Sequence, residues 1–329
     1  MQDVATPDLD RSIVREGVAM ASTISTDLAQ AGHTVHLPID FRIPVESLAE
    51  VGVLPQSIRD FERLPDLLRG LARRCGAIIV IAPECAGRLV MALDWIAEFS
   101  DRIISPSGEI VRIGCSKQKT VRWLESHGVQ KPFEIQAAHP VVLKPDDGAG
   151  SDRIQVLKGP NAIPHFVRDQ LSTWRVERFL TGSAVSLSVI GGPRGNFFFP
   201  PTFQIFDGAS PRDLIQNFDS EANWPGPWIG FDYPIGESLA DRAVALCERA
   251  LISLPTFTGV LGMDLILSET GASEDRIVDL NPRMTTSWVG LRSLFSSNLA
   301  AFMVNHSRGI NCQFPVPKTT ELGFRLATE

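Results

Sequence analysis

Residues 77–82 read Ala-Ile-Ile-Val-Ile-Ala, a six-residue run without a polar side chain. A continuous apolar run of that length marks a strand covered on both faces, the situation of a parallel sheet flanked by helices. The flanking segments agree. Residues 11–31 carry Ile13, Val14, Gly17, Met20, Ala21, Ile24 and Leu28 at helical spacing, with Asp10 as N-cap and Gly32 as the C-terminal stop. Residues 34–40 read as a strand, 87–99 as a helix and 102–105 as a short strand. The pattern predicts a parallel α/β unit, whose ligands gather at the carboxyl ends of strands. Glu84, just past the apolar run, is either part of such a site or a loop carboxylate beside a helix N-terminus. A sheet of this kind usually opens with a central strand, whereas here a helix comes first. The segment Met1–Asp10 is too short and polar to replace that strand. The expectation is that the opening strand is missing. That would leave a gap or an exposed edge that a partner chain, a homo-oligomer included, can cover.

The chain then changes character. Residues 117–128 read as a helix ended by Gly128, 139–145 as a strand, 146–151 as a glycine-containing turn and 152–157 as a second strand. A helix is expected over 161–171. Strands are expected over 172–180 and 183–190, joined by Thr181-Gly182. The stretch 119–178 is a small α+β unit of lid size. Beyond it the pattern predicts a strand near 196–206, a Pro/Gly/Trp-rich loop over 223–236 holding Trp224 and Trp228, and a helix over 237–252. Strands follow at 257–267 and 276–280, then a closing helix.

Two constellations carry chemistry. In Val141-Val-Leu-Lys-Pro-Asp-Asp-Gly-Ala-Gly-Ser151, Lys144 ends a buried strand, where an ammonium must be paired. The adjoining Gly148, Ala149, Gly150 and Ser151 can present backbone N–H groups to phosphate oxygens. The spacing is not that of a Walker A loop, and a β-hairpin turn with a snorkelling lysine accounts for the same residues. In the second, alternation puts Asp279 and Asn281 on one face of a strand, with Asp264 on the strand expected to pair with it antiparallel. Two carboxylates and an amide oxygen suit Mg²⁺. Arg283 can reach the same pocket and neutralise a transferring phosphoryl group. A polar turn capped by Asp279 is the plainer alternative. Thr285, Thr286 and Ser287 follow, as substrate contacts or as a helix N-cap.

Composition narrows the partners. A chain of 329 residues predicts two domains or one with a large insertion, and a net charge of −7 argues against non-specific attraction to nucleic acid or anionic lipid. Cys75, Cys85, Cys115, Cys247 and Cys312 show no C-x-x-C spacing, and the six histidines show no ligand spacing. This argues against zinc and a disulfide framework and fits a reducing compartment. With no signal peptide and no long apolar run, the expectation is a soluble, cytoplasmic protein without a membrane partner.

The ordered set Ser116-Lys117, Val141–Gly150, Val176–Gly182, Gly262–Leu267 and Asp279–Arg283 resembles the ATP-grasp superfamily over nearly the whole chain. The resemblance implies an α/β fold: an N-terminal parallel α/β (pre-ATP-grasp) domain over 1–115, then a two-lobed α+β ATP-grasp domain over 116–329. Its small lid lobe would span about 119–178 and its large metal-bearing lobe about 179–329. It further implies ATP with Mg²⁺, or Mn²⁺ in its place, and phosphate lysines at Lys117 and Lys144. The hinge of Glu177, Arg178, Phe179 and Leu180 would read adenine through backbone groups. Asp264, Asp279 and Asn281 would be metal ligands, with Arg283 steadying an acyl-phosphate step. The implied activity is ADP-forming carbon–nitrogen ligation of small-molecule carboxylate and amine substrates. Departures are Ala184, where many members carry a glutamate that contacts ribose, and aspartates in place of glutamates at the metal positions. Segments 15–20, 82–89, 143–151, 182–189 and 280–291 resemble the branch containing the tyramine–glutamate ligase of methanofuran biosynthesis. That likeness implies glutamate as the acid and tyramine or tyrosine as the amine. Another dipeptide or amide ligase, and a non-catalytic nucleotide-binding regulator on the same fold, are the alternatives.

Overall fold

The computed structural model describes residues 11–44, 48, 51–132, 134–148, 153–170, 172–207, 222–223 and 228–326. Helix α1 (Arg11–Gln30) buries Met20, Ile24 and Leu28. Gly32 ends it at φ +87°, a left-handed conformation that glycine adopts without a Cβ clash. Strands β1 (Val35–Asp40) and β2 (Val53–Ile58) pair in parallel. Neither β2 nor the following helix α2 (Leu64–Ala72) was anticipated. Asp10, and the segment 1–10 on which the expectation of a missing opening strand turns, lie outside the described residues.

The apolar run 77–82 makes a single parallel bridge, Ile78 to Ile103, instead of a regular strand. The Ser105 hydroxyl takes the Val80 N–H at 3.0 Å, so a side chain replaces the next ladder bond. The run is nevertheless covered from both sides. Ile78, Val80 and Ala82 pack against one core cluster; Ala77, Ile79 and Ile81 pack against the other. The helix expected over 87–99 is α3 (Arg88–Trp95), followed by 3₁₀ turns over Ala97–Arg102. After α4 (Gly108–Gly114), α5 (Lys117–Ser126) ends at Gly128, with φ +69°.

Strand β3 (Val141–Pro145) pairs antiparallel with β4 (Gln155–Leu157). The helix expected over 161–171 is split: Pro164 has no N–H to continue it, leaving a 3₁₀ turn at Pro160–Ala162 and the short α6 (His165–Arg168). Strand β5 (Trp174–Arg178) lines the other side of β3. Next come β6 (Gly182–Gly191), β7 (Phe197–Phe198), β8 (Thr202–Phe206) and β9 (Ala222–Asn223). Pro200-Pro201 divides β7 from β8, where one strand was expected. The Pro/Gly/Trp-rich stretch contains β10 (Trp228–Tyr233) as well as loop. Helix α7 (Glu237–Ser253), β11 (Gly259–Ser268), β12 (Arg276–Asn281), α8 (Ser287–Leu291), α9 (Leu299–Ser307) and β13 (Leu322–Arg325) complete the described chain.

Two antiparallel sheets result. The small one has the order β5-β3-β4-β9, and the large one β12-β11-β6-β8-β10-β13 with β7 beside β6. The small sheet's own core is Val141, Leu143, Leu157 and Val167. Alternation therefore turns Val142 and Lys144 to the opposite face. The large sheet is covered on one side by α4, α5 and α7, with Leu187, Leu261, Met263, Ile110, Leu124 and Leu246 at its heart. Val260 and Ile190, near the far ends of β11 and β6, join a second core built on Trp288, Phe302, Met303 and α1. Between these ends the same strands leave Ala184, Ser186, Asp264 and Ile266 facing a cleft. Among the described residues, no helix is long and apolar enough to cross a membrane.

Candidate functional site

The cleft lies between the small sheet and the uncovered face of the large one. It is lined by both lysines, the 178–182 connection and the Asp264–Asp279 strand pair. On the lid side, Lys144 Nζ meets Glu177 Oε2 at 2.8 Å and the Val278 carbonyl at 2.9 Å. That carbonyl is free because the β11–β12 register slips between Asp264 and Leu265, leaving Val278 without a partner on β11. Arg175 Nε holds the other Glu177 oxygen at 2.7 Å. Burial pushes the Glu177 carboxyl upward, but Lys144 and Arg175 outweigh it and hold it below the usual carboxylate range.

Lys117 enters from the start of α5. Ser116 caps that helix by accepting from Lys119 N–H at 3.2 Å. Asp146, at the end of the lid strand, accepts from the Ser116 hydroxyl at 2.6 Å and from Gln118 N–H at 2.7 Å. A carboxylate at a helix N-terminus is favourable, and here it ties the end of β3 to the helix that carries Lys117. The Lys117 ammonium meets Asp279 Oδ2 at 2.8 Å and the Gly148 carbonyl at 2.7 Å. Burial works against its charge, yet Asp279, Glu84 and Glu177 raise its pKa overall.

On the large sheet, Asp264 stands directly opposite Asp279, and Gly262 opposite Asn281. Asp264 accepts from Asn281 Nδ2 at 3.0 Å and from Gln204 Nε2 at 2.8 Å. Burial, with the neighbouring Asp279 charge, pushes Asp264 up to about 6. A strained anionic pair of hard oxygen donors fits a small divalent cation, so Mg²⁺ suits the residues present.

Arg283 is where the sequence reading was least complete. Its Nε and Nη2 face Glu84 at 2.8 and 2.9 Å, and its Nη1 donates to the Met284 carbonyl at 3.0 Å. Burial lowers its pKa; Glu84, Glu16 and Asp279 more than offset this. Glu84 is 5% exposed. Its position after the apolar run left two alternatives; the structure buries it against Arg283, which lines the cleft, while Glu84 itself stands behind that wall.

Of the site residues read from sequence, Lys117, Lys144, Gly148, Glu177, Arg178, Phe179, Leu180, Asp264, Asp279, Asn281, Arg283, Thr285, Thr286 and Ser287 all line this one cleft. Ala149, Gly150 and Ser151 lie outside the described residues, as does Trp224. Glu177 contributes through its side chain as well as its backbone. Trp228 lines the cleft too, as does Ser186, whose alternation with Ser188 reads from sequence only as a polar sheet face; Glu16 and Gln204, which sequence reasoning did not single out, line it as well. Ser186 had a usable signal, its alternation on β6 in register with Asp264. Glu16 and Gln204 had none, because only tertiary packing brings them in.

The cleft between the two sheets thus brings together Lys144 from the small sheet, Lys117 from α5 and the Asp264–Asp279 carboxylate pair from the large sheet. The family model described as "ATP-grasp domain" matches residues 115–287, just over half of the chain. This protein belongs to the ATP-grasp family. Solved structures share the fold. An ATP-grasp superfamily protein from Archaeoglobus fulgidus aligns with a TM-score of 0.67 at 15% identity, covering 98% of this chain and 96% of that one. Biotin carboxylase from Campylobacter jejuni, solved as a β,γ-ATP complex, aligns at 0.68 and 12% identity over 90% of this chain and 70% of that one. An L-amino acid ligase from Bacillus licheniformis aligns at 0.63 and 13% identity over 92% and 73%. No curated protein matches the sequence.

Proposed function

We propose that this protein is an ATP-dependent carboxylate–amine ligase. The observation that carries this reading is the convergence of Lys117, Lys144, Asp264, Asp279, Asn281 and Arg283, from separate elements, on a single cleft. In the first step a substrate carboxylate oxygen attacks the γ-phosphorus of ATP, releasing ADP and giving an acyl phosphate. In the second, the amine nitrogen attacks the acyl carbon; the carbon–oxygen bond to phosphate breaks, orthophosphate leaves and the nitrogen loses a proton.

Each residue has a place in this scheme. Lys117 and Lys144 hold phosphate oxygens, as charge-assisted donors in a buried cleft. The backbone from Glu177 to Leu180 receives adenine, with the Leu180 N–H as donor. Asp264, Asp279 and Asn281 hold Mg²⁺, or Mn²⁺ in its place, which supplies neutralising charge to the phosphate chain. Arg283 stabilises the charge that builds on the transferred phosphoryl group, and Thr285, Thr286 and Ser287 contact the substrates. No side-chain nucleophile is required. Motif likeness to the tyramine–glutamate ligase branch supports glutamate as the acid and tyramine or tyrosine as the amine. The test is an ADP- and orthophosphate-release screen over pairs of amino acids and amines with Mg²⁺. The expected result is release that needs both members of a pair. Robust formation of AMP and pyrophosphate would overturn the acyl-phosphate route.

A further inference from the structure

Helix α1 brings into the cleft a carboxylate with no part in the scheme above. Glu16 lines the same cleft as Arg283, Thr285 and Ser287. One of its oxygens, Oε2, accepts from the Thr286 hydroxyl at 2.6 Å. The other, Oε1, is buried and has no hydrogen-bond partner. A buried carboxylate oxygen left unpaired is costly and uncommon. The nearby cation whose pKa it influences is held elsewhere: Arg283 Nη2 donates to Glu84 at 2.9 Å and Nη1 to the Met284 carbonyl at 3.0 Å, while Nε lies 2.8 Å from Glu84 Oε1 as an ion pair without hydrogen-bond geometry. Nor is Glu16 loosely held. Further along the same helix Asp27 pairs with Arg292, and the Asp27 carbonyl accepts from Asn298 Nδ2 at 2.6 Å, which fixes α1 against α8 and α9. The oxygen is therefore a preset acceptor waiting for a donor that arrives with a ligand.

Building on the ligase reading, we propose that Glu16 binds the protonated amino group of a substrate and so restricts this enzyme to ammonium-bearing partners. An ammonium brings both a compensating charge and several donors. Thr285 and Ser287, whose hydroxyls bond each other at 2.7 Å, add neutral acceptors in the same cleft. The ammonium can belong to an amino acid whose carboxylate is activated, or to the attacking amine, which then passes a proton to the Glu16 carboxylate before its nitrogen attacks; the two sources separate in the test.

The experiment is calorimetric titration of the full chain, loaded with Mg²⁺ and β,γ-methylene-ATP. The probes are amino acids and primary amines, each beside its deaminated counterpart: glutamate with glutarate, tyramine with 4-ethylphenol. The expected result is that at least one ammonium-bearing probe binds about 10- to 100-fold more tightly than its counterpart, the range of one charge-assisted hydrogen bond. In Glu16→Gln that advantage disappears while affinity for the nucleotide analogue stays the same. The glutamine keeps an oxygen for Thr286, and a melting curve checks its folding. The comparison of paired probes in the unaltered protein needs no variant at all. Selectivity within the glutamate pair assigns the site to the acid; selectivity within the tyramine pair assigns it to the amine. Failure of every ammonium-bearing probe to outbind its counterpart, including failure of all to bind, overturns the proposal. ADP release persisting in that case leaves the ligase reading standing. Glu16-dependent probe binding without ADP release would instead remove the ligase reading alone.

Discussion

Arg283 and Glu84 form a buried ion pair, 11% and 6% exposed at their side chains, linking the N-terminal unit to the strand that carries Asp279. Removing one partner strands a charge in the interior, a change that costs about 3–5 kcal/mol, whereas replacing both with neutral groups is often close to neutral. Arg283→Met should therefore lower stability by that amount, which in a chain of 329 residues is a fall in melting temperature of about 4–7 °C. Glu84→Gln should lower it too, because the amide oxygen can still accept from Arg283 but no longer balances its buried charge. The double variant should recover most of the loss, giving a coupling energy above roughly 2 kcal/mol. The assay is chemical denaturation of the four proteins without ligand. Losses that add to within about 0.5 kcal/mol would mean the two groups do not interact and would refute the reasoning. Because stability falls whether or not Arg283 takes part in chemistry, melting temperature alone cannot identify its role. The second readout is kinetic: folded Arg283→Met should keep its ATP affinity and lose roughly 10²–10³ in kcat, as for removal of one oxyanion-type donor. A folded variant with normal kcat would remove the main reason for assigning Arg283 to the phosphoryl-transfer step.

Lys144→Ala should weaken ATP binding as well as turnover, while the fold survives because Glu177 keeps Arg175 at 2.7 Å; nucleotide titration and kcat on one preparation check both. Asp279→Asn should raise the Mg²⁺ concentration needed for half-maximal activity, since an anionic ligand is lost from a hard-cation site; an unchanged Mg²⁺ dependence would place the ion elsewhere. Asp264 supplies a pH test. Its folded-state pKa of about 6 exceeds the ordinary aspartate value of 3.8, so its contribution to stability is complete below about pH 4 and lost as pH rises through 6. In the ligand-free protein, the melting-temperature difference between wild type and Asp264→Asn should shift in favour of the variant across that interval. A difference that stays constant from pH 4 to 7 would contradict the burial of this carboxyl beside Asp279.

Much of the site was legible in the sequence because its parts obey local rules. Strand periodicity put Asp279 and Asn281 on one face with Leu280 behind, and the buried strand ahead of Lys144 marked it as a lysine that must be paired. The helix after Ser116 and its stop at Gly128 follow from capping chemistry and a residue that tolerates positive φ. The continuous apolar run at 77–82 correctly announced cover on two faces, because hydrophobicity reports burial directly. The same run could not reveal that Ser105 would take the next ladder bond, since that depends on a segment 25 residues away. Strand β2 went unanticipated, and so did the breaks that proline makes in the helix over 161–171 and the strand near 196–206. The remaining features belong to the tertiary structure alone. The bulge that frees the Val278 carbonyl for Lys144 is a property of how two strands register. Asp146, which looked like part of a turn, holds the N-terminus of the Lys117 helix. Glu84 reaches Arg283 across 199 residues of sequence, and Glu16 reaches Thr286 across 270. Periodicity and capping act over a few residues and can be read along the chain. Which distant carboxylate ends beside which arginine or hydroxyl is decided only when the cores close around them.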